Sequence, residues 1–404
     1  MFKTMSEMKV MRDPIHEYIH VDKQLIWDCI NAPEFQRLRR IHQLGPAMYV
    51  YHSAEHSRFS HSLGVYEITR RIINEVIGVE HLSELDQMSL LCAALLHDIG
   101  HGPFSHTFEN LLQIRHERFT IALIQGDSSI HELLKVAHPE LPQAIVDILK
   151  HQHANPLLSQ VISGQLDADR MDYLLRDAYF SGTSYGKFDL ERMFRTMRVV
   201  NDTLVIKKTG VHTIEDYILA RYHMYWQVYF HPISRSVEAL LQSYFKRLKY
   251  LYQHKQLANH LLKLHPFLSG GPISNAEFLM MDESTFLHLC KQASTLEDPI
   301  AADLAQRILN RDLFDYVDIT NGDQVEVMRA KVKAAGFDEA YYLVVDEAKQ
   351  TPYFPYAIKE QASILIADEA NNLMELSHAS NLVKAITLGK EKEDKKVFFP
   401  RSIR

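Results

Sequence analysis

The chain has 404 residues, 46% of them hydrophobic and 24% charged, the balance of a globular protein long enough to bury a core without disulfides. Lys and Arg number 44 against 51 Asp and Glu, and the net charge of −7 argues against a general nucleic-acid-binding protein. No signal peptide, no apolar run of the roughly 20 residues that cross a bilayer and no CxxC pair are visible, which predicts a soluble, cytoplasmic chain.

From about Ser57 to Asp312 the pattern is helical almost throughout. Arg58 to Ile77 carries His61, Val65, Ile68, Ile72 and Val76 along one stripe. Ser83 with Asp86 reads as a capping box, and Leu85, Met88, Leu91, Cys92, Leu95, Leu96 and Ile99 follow at helical spacing. Gly100 is expected to end that helix in left-handed geometry. Ala144 to Lys150, Leu157 to Tyr179, Glu215 to Phe230 and Ser234 to Leu251 also suit helices, with His231-Pro232 interrupting between the last two. Ser269-Gly270-Gly271-Pro272 is a loop signal. After Phe314 the texture changes: strands are expected at Tyr316 to Ile319, Ala340 to Val345 and Ser363 to Asp368, with a helix from Asp323 to Ala335 ended by Gly336. The predicted architecture is mainly α, with a helical domain over 1–312 (its core about 50–180) and a smaller C-terminal α+β subdomain over 313–404.

Histidine is the residue count that stands out. There are 23, and 13 of them lie between His42 and His153. Imidazole is the commonest metal ligand and the usual acid or base near neutral pH. The informative segment is His97-Asp98-Ile99-Gly100-His101-Gly102-Pro103-Phe104-Ser105-His106. An adjacent His-Asp pair at a helix end can present nitrogen and oxygen donors to one divalent ion. Two ligands are too few, and the natural additions are His61 and Asp169. Alone, an apolar-stripe histidine is more often a core residue, and a lone aspartate more often a cap. The ordered set in one helical domain is what points to a metal.

That order, with its surrounding motifs, resembles the HD superfamily, and in particular its deoxynucleoside triphosphate triphosphohydrolases, both bacterial and vertebrate. The resemblance runs from Asp13-Pro14-Ile15-His16 through Phe35-Gln36-Arg37-Leu38-Arg39 and Gln43-Leu44-Gly45. It continues through Arg58 to Val65, the HD segment, His116-Glu117 and Asp169-Arg170-Met171-Asp172-Tyr173, and thins past about Arg247. It implies an all-helical HD core in which His61, His97, Asp98 and Asp169 hold one divalent ion per subunit, of manganese, magnesium, iron or zinc, with additional magnesium entering on the nucleotide. His101, His106, Glu109, His116 and Glu117 match positions at the catalytic centre. His106 with its neighbouring acid is the expected proton-transfer pair, with His116 alongside. Glu109 departs from the aspartate of vertebrate members. Without the resemblance, Glu109 and Glu117 would read as a solvated helix face.

A triphosphate carries about four negative charges, so basic groups should converge on it. The resemblance assigns Arg58, Arg170 and Arg221 to the phosphates, Arg170 standing where vertebrate members have lysine. It assigns Tyr173 and Asp177 to the sugar and its 3′-hydroxyl, Gln43 and Leu44 to the sugar-base end, and Tyr225 and Tyr229 to the same pocket. It also implies a homo-oligomer, a tetramer in related enzymes, activated by nucleotides bound between subunits at Lys9, Val10, Arg12, Asn31, Gln36 and Arg39. Asn31 replaces an aspartate that reads guanine through two acceptor oxygens, and an amide offers only one, so the activating base is left open. Two rival readings remain: an HD phosphohydrolase acting on (p)ppGpp, cyclic nucleotides or nucleoside monophosphates, and a nucleotide-sensing protein with a vestigial HD site. A GYP motif is not visible after the HD segment, which lowers the cyclic-nucleotide option.

Overall fold

A computed structural model describes residues 2–350, 363–388 and 392–404, the side chains of His106, Lys349, Gln350 and Lys392 excepted. It is mainly α-helical, as expected. Among the described residues three small sheets accompany the helices: an N-terminal antiparallel hairpin, a four-stranded sheet and a three-stranded sheet. In the hairpin, Thr4–Asp13 has no buried side chain, whereas Glu17–Lys23 buries Ile19 and Val21.

The helix ends follow local chemistry. Glu84–Leu96 starts on the expected capping box: Ser83 Oγ accepts from the Asp86 N–H at 3.0 Å, and Asp86 accepts from the Ser83 N–H at 3.3 Å. Ala168–Ser181 starts on Asp167, which accepts from the Arg170 N–H at 2.7 Å, and stops at Gly182, left-handed at φ 71°. Arg58–Glu75 carries the predicted stripe.

Four local expectations need correction. Leu157 to Tyr179 is two helices, Pro156–Ser163 and Ala168–Ser181, because the chain turns at Gly164 before Asp167 caps the second. Gly100 is not left-handed; the Glu84–Leu96 helix ends before His97, and glycine is required at 100 by packing. A Cβ there would meet His116 O and Thr120 N at 2.3 Å. Ala340 to Val345 divides into a helical turn, Glu339–Tyr342, capped by Asp338, and a strand, Val344–Gln350. Glu215 to Phe230 is instead a helix that starts a turn earlier, Val211–Met224, continued by a π turn over Tyr225–Tyr229 before His231-Pro232 breaks the run.

The C-terminal strands part company. Phe314–Asp318 and Val344–Gln350 flank Lys392–Pro400 in one antiparallel sheet. Leu365–Ala367 instead pairs in parallel with Thr203–Lys207, which itself pairs with Met197–Val200. Its neighbours Ile364, Ile366, Leu376 and Val383 join the core built by the metal-region helices, from Ile19 to Val228. A second core runs from Val237 to Phe399 and also takes in Phe104, Phe108 and Phe119. The segment after the His97-Asp98 pair thus leaves one core and roots in the other. Cys29, Cys92 and Cys290 are free and buried. Among the described residues no helix is long and apolar enough to cross a membrane.

Arg235, on the helix Pro232–Gln253, ties that helix to the three-stranded sheet through Asp346 at 2.6 Å and Asp394 at 2.5 Å. One turn along, burial and the Asp346 charge push the Glu238 carboxyl up to about 7, against the pull of Arg235. A folded-state acid above its ordinary value near 4.5 holds a proton that the unfolded chain releases, so stability falls as pH rises from about 4.5 to 7. Glu238→Gln is expected to unfold at higher urea than the parent at pH 8, by roughly 2 kcal/mol, with the gap closing towards pH 4.5. A gap that does not change with pH would remove Glu238 as its source.

Candidate metal centre and catalytic site

Three structural pieces supply the donors. His61 sits one turn into the Arg58–Glu75 helix, His97 and Asp98 in the turn after Leu96, and Asp169 in the first turn of Ala168–Ser181. Donor atoms of His61, His97 and Asp169 all lie within 4.8 Å of one another. Asp98 lies beside them, its Oδ2 3.7 Å from His61 Nε2 and its Oδ1 3.4 Å from His97 Nε2.

Both imidazoles are turned with Nε2 inward. His97 Nδ1 donates to the Ala94 carbonyl at 2.8 Å, and His61 Nδ1 donates to Asp172 at 2.8 Å. These bonds leave Nε2 as the ring nitrogen that can turn to a cation. Both Nε2 atoms are buried, and His61 Nε2 stands 3.0 Å from Asp169 Oδ1. Burial alone would depress His61, but the Asp169 and Asp172 carboxylates push it up to about 10, so the ring holds a second proton on Nε2 that a bound cation would displace. Burial likewise opposes the ionised Asp98, yet Arg58, His97 and His101 hold its carboxyl well below the usual range. Two inward-facing imidazole nitrogens among ionised carboxylates fit a divalent cation with mixed N/O ligands.

Behind His61 lies a buried network that motif reading does not assign. Asp172, fully buried, accepts from His61, from His16 Nε2 at 2.6 Å, and from Arg176 Nε and Nη2 at 2.8 and 2.9 Å. Arg176 also donates to Asp13 at 2.9 Å. Gly64 makes room for it: a Cβ there would stand 1.8 Å from Asp172 Oδ1. Asp13-Pro14-Ile15-His16 and Asp172 both belong to matched motifs, and the available signal was helical spacing: Asp169, Asp172 and Arg176 fall three and four apart on one face.

The candidate proton-transfer groups form a second cluster beyond Asp98. His101 Nε2 lies 3.3 Å from Asp98 Oδ1, and its ring stacks on His116 at 3.7 Å between centroids. His116 Nδ1 donates to Glu109 Oε1 at 2.9 Å. Burial, with Arg58 and His116 nearby, holds His101 well below the ordinary histidine value, so it stays neutral. Glu117 faces Arg115, 2.7 Å away, and lies 3.6 Å from His116. His106 opens the helix His106–Leu112 directly after Ser105, but its side chain lies outside those the structure describes.

On the other flank, Arg221 is buried, and its Nε and Nη1 have no hydrogen-bond acceptor. Gln43 Oε1 is likewise buried and open, while Leu44 is half-buried. Arg170 donates to Asp167 at 2.8 Å, and Arg58 to Asp98 at 2.5 Å and Ser105 at 3.0 Å. The Tyr173 ring stands 6.5 Å from His61 and 6.1 Å from Tyr229, which in turn lies 5.0 Å from Tyr225. Asp177 accepts from the Tyr229 hydroxyl at 2.9 Å and from His56 at 2.7 Å, a partner the sequence does not announce.

The six positions expected to bind an activating nucleotide divide into two groups. Lys9, Val10 and Arg12 lie on the hairpin, Lys9 paired with Glu7 and Arg12 over the Tyr18 ring. Asn31 donates to the Trp27 carbonyl, and Gln36 bonds Ile30 O and Arg39, whose guanidinium covers Phe59. Among the described residues no hydrogen bond or ion pair joins the two groups.

The model of the HD domain matches residues 58–177, and the model of the HD associated region matches residues 188–398. The Bacillus subtilis protein YwfO is 42% identical over 99% of this chain and 94% of its own. The human deoxynucleoside triphosphate triphosphohydrolase SAMHD1 is 25% identical over 90% of this chain, which spans 62% of that protein. A crystal structure of a Bacteroides thetaiotaomicron phosphohydrolase superposes with a TM-score of 0.86 at 28% identity, covering 98% of this chain and all (100%) of that one. With both family models matched in chain order and the relatives aligned over nearly the whole length, the chain belongs to the HD-domain family and is an HD phosphohydrolase.

Proposed function

We propose that the chain hydrolyses deoxynucleoside triphosphates to deoxynucleoside and inorganic triphosphate. The observation that carries this reading is the pairing of a metal-shaped cluster with Arg221, a buried guanidinium whose Nε and Nη1 lack acceptors, across Tyr173. A buried cation left unpaired is costly, and a phosphate chain would satisfy it. In the proposed reaction, water oxygen bonds to the α-phosphorus, the bond from phosphorus to the 5′-oxygen breaks, and that oxygen takes a proton. His61, His97, Asp98 and Asp169 would hold one divalent ion, which when bound supplies Lewis-acid polarisation of a phosphoryl oxygen and a more acidic water.

The chain's own groups do the rest. Arg58, Arg170 and Arg221 bind the phosphates. Asp177, fixed by His56 and Tyr229, accepts a sugar hydroxyl, and Tyr173 closes on the 2′ carbon so that a ribose hydroxyl is crowded out. Gln43 and Leu44 border the sugar and base. His116 with Glu109 forms a hydrogen-bonded acid–base pair, and His106 is the residue proposed to protonate the leaving oxygen. We further assign Lys9, Val10, Arg12, Asn31, Gln36 and Arg39 to a nucleotide site completed in a homo-oligomer.

The test is product analysis after incubation with each dNTP and a divalent metal. Deoxynucleoside plus triphosphate is the expected outcome; monophosphate plus pyrophosphate would mean different chemistry, and no turnover would favour a nucleotide sensor. The same assay with dNTPs added in pairs is expected to show stimulation of one by another, and rates indifferent to every second nucleotide would remove the activator site.

A further inference from the structure

The segment that leads from the His97-Asp98 pair to His106 turns through two consecutive left-handed residues, neither of them glycine. Phe104 has φ 55° and Ser105 φ 49°. Such a corner is costly for residues with a Cβ and persists only where its surroundings over-determine it. Arg58 holds the Ser105 hydroxyl with two donors, at 3.0 and 2.9 Å. The Phe104 ring meets Phe286 edge-on at 5.1 Å, and a Cβ at Gly45 would touch Phe104 O at 3.4 Å.

One further tie comes from 179 residues along the chain. Glu283 Oε1 accepts from the Phe104 N–H at 3.1 Å and from the His42 N–H at 3.1 Å, while Oε2 accepts from His42 Nδ1. Glu283 is 3% exposed. A carboxylate in a core is a poor choice for packing alone, because its desolvation must be offset by hydrogen bonds. Here the bonds go to the two backbone segments that border the site: Phe104, two residues before His106, and His42, next to Gln43 and Leu44.

We propose that Glu283 is a positioning residue of the HD site: it clamps the Phe104 corner to His42 and so fixes where the helix from His106 begins relative to the substrate-bordering segment. Glu283 comes from the associated region, which gives that region a direct part in shaping the HD domain's loop. The proposal rests on the hydrolase reading of the site.

Two variants test it. Glu283→Ala removes both acceptors, whereas Glu283→Gln keeps one oxygen for the two N–H groups. In Glu283→Ala, amide hydrogen exchange is expected to quicken at least ~10-fold over Gly102 to Glu109, while Leu90 to Leu96 and Met171 to Ala178 keep their protection and the metal stays bound. kcat should fall by ~10–100-fold with KM within a few-fold of the parent, as a misplaced reacting group demands. Glu283→Gln should recover most of both. Unchanged exchange in Glu283→Ala, exchange raised across the whole chain, or a Glu283→Gln as impaired as Glu283→Ala would each overturn the proposal. The exchange arm needs no substrate, so it decides the clamp even if no dNTP is turned over.

Discussion

Asp172→Ala is expected to cost about 3–5 kcal/mol of stability and ~10–100-fold in metal affinity, although residue 172 is not a proposed ligand. Asp172 neutralises a guanidinium that is itself fully buried and accepts from two imidazoles. Its removal leaves Arg176 with Asp13 alone and frees His61 to rotate or change tautomer. Urea unfolding measures the first loss and metal titration the second. Gly64→Ala should disturb the same point from the other side, since its new methyl would overlap Asp172 Oδ1. The two changes therefore should not add: the double variant is expected to be more stable than the sum of the singles, because the methyl fills space that the carboxylate has left. Additive losses would show that Gly64 is needed for some other reason.

His97→Ala should have the larger functional effect, lowering bound metal and turnover by more than the ~10–100-fold of an outer partner. The side chain contributes a buried Nε2 without a hydrogen bond, so its loss removes a donor and leaves no structural bond broken except that to the Ala94 carbonyl. Elemental analysis and dNTP turnover read the result. Full metal content with normal activity would dismiss the cluster as a metal site.

Much of this arrangement is legible in the sequence because it follows local rules. The Ser83 box, the stripe through His61 and the Asp167 cap are set by residues within a turn or two of one another. The donor order of His61, His97-Asp98 and Asp169 is readable for the same reason, each falling at a recognisable helix start or end. The buried network is not, because Asp169, Asp172 and Arg176 at helical spacing look the same whether they face solvent or a core. Only the packing of Ala168–Ser181 on Arg58–Glu75, with Gly64 at the crossing, turns Asp172 inward. Glu283 is further still from local reach. It opens the helix Glu283–Ala293, where an acid is expected in any first turn, and nothing nearby marks it as the acceptor for Phe104.

The parallel pairing of Thr203–Lys207 with Leu365–Ala367 carries a consequence for synthesis. Val205 waits for Leu365, 160 residues later, so one side of that strand stays open for roughly 8–30 s at 5–20 residues per second. During that interval a strand edge flanked by the apolar side chains Leu204, Val205 and Ile206 is a template for a neighbouring nascent chain. Because Ile364, Ile366, Leu376 and Val383 complete a core begun at Ile19, that core cannot finish folding from its N-terminal side forward, and chains released before Leu365 should be the ones that aggregate.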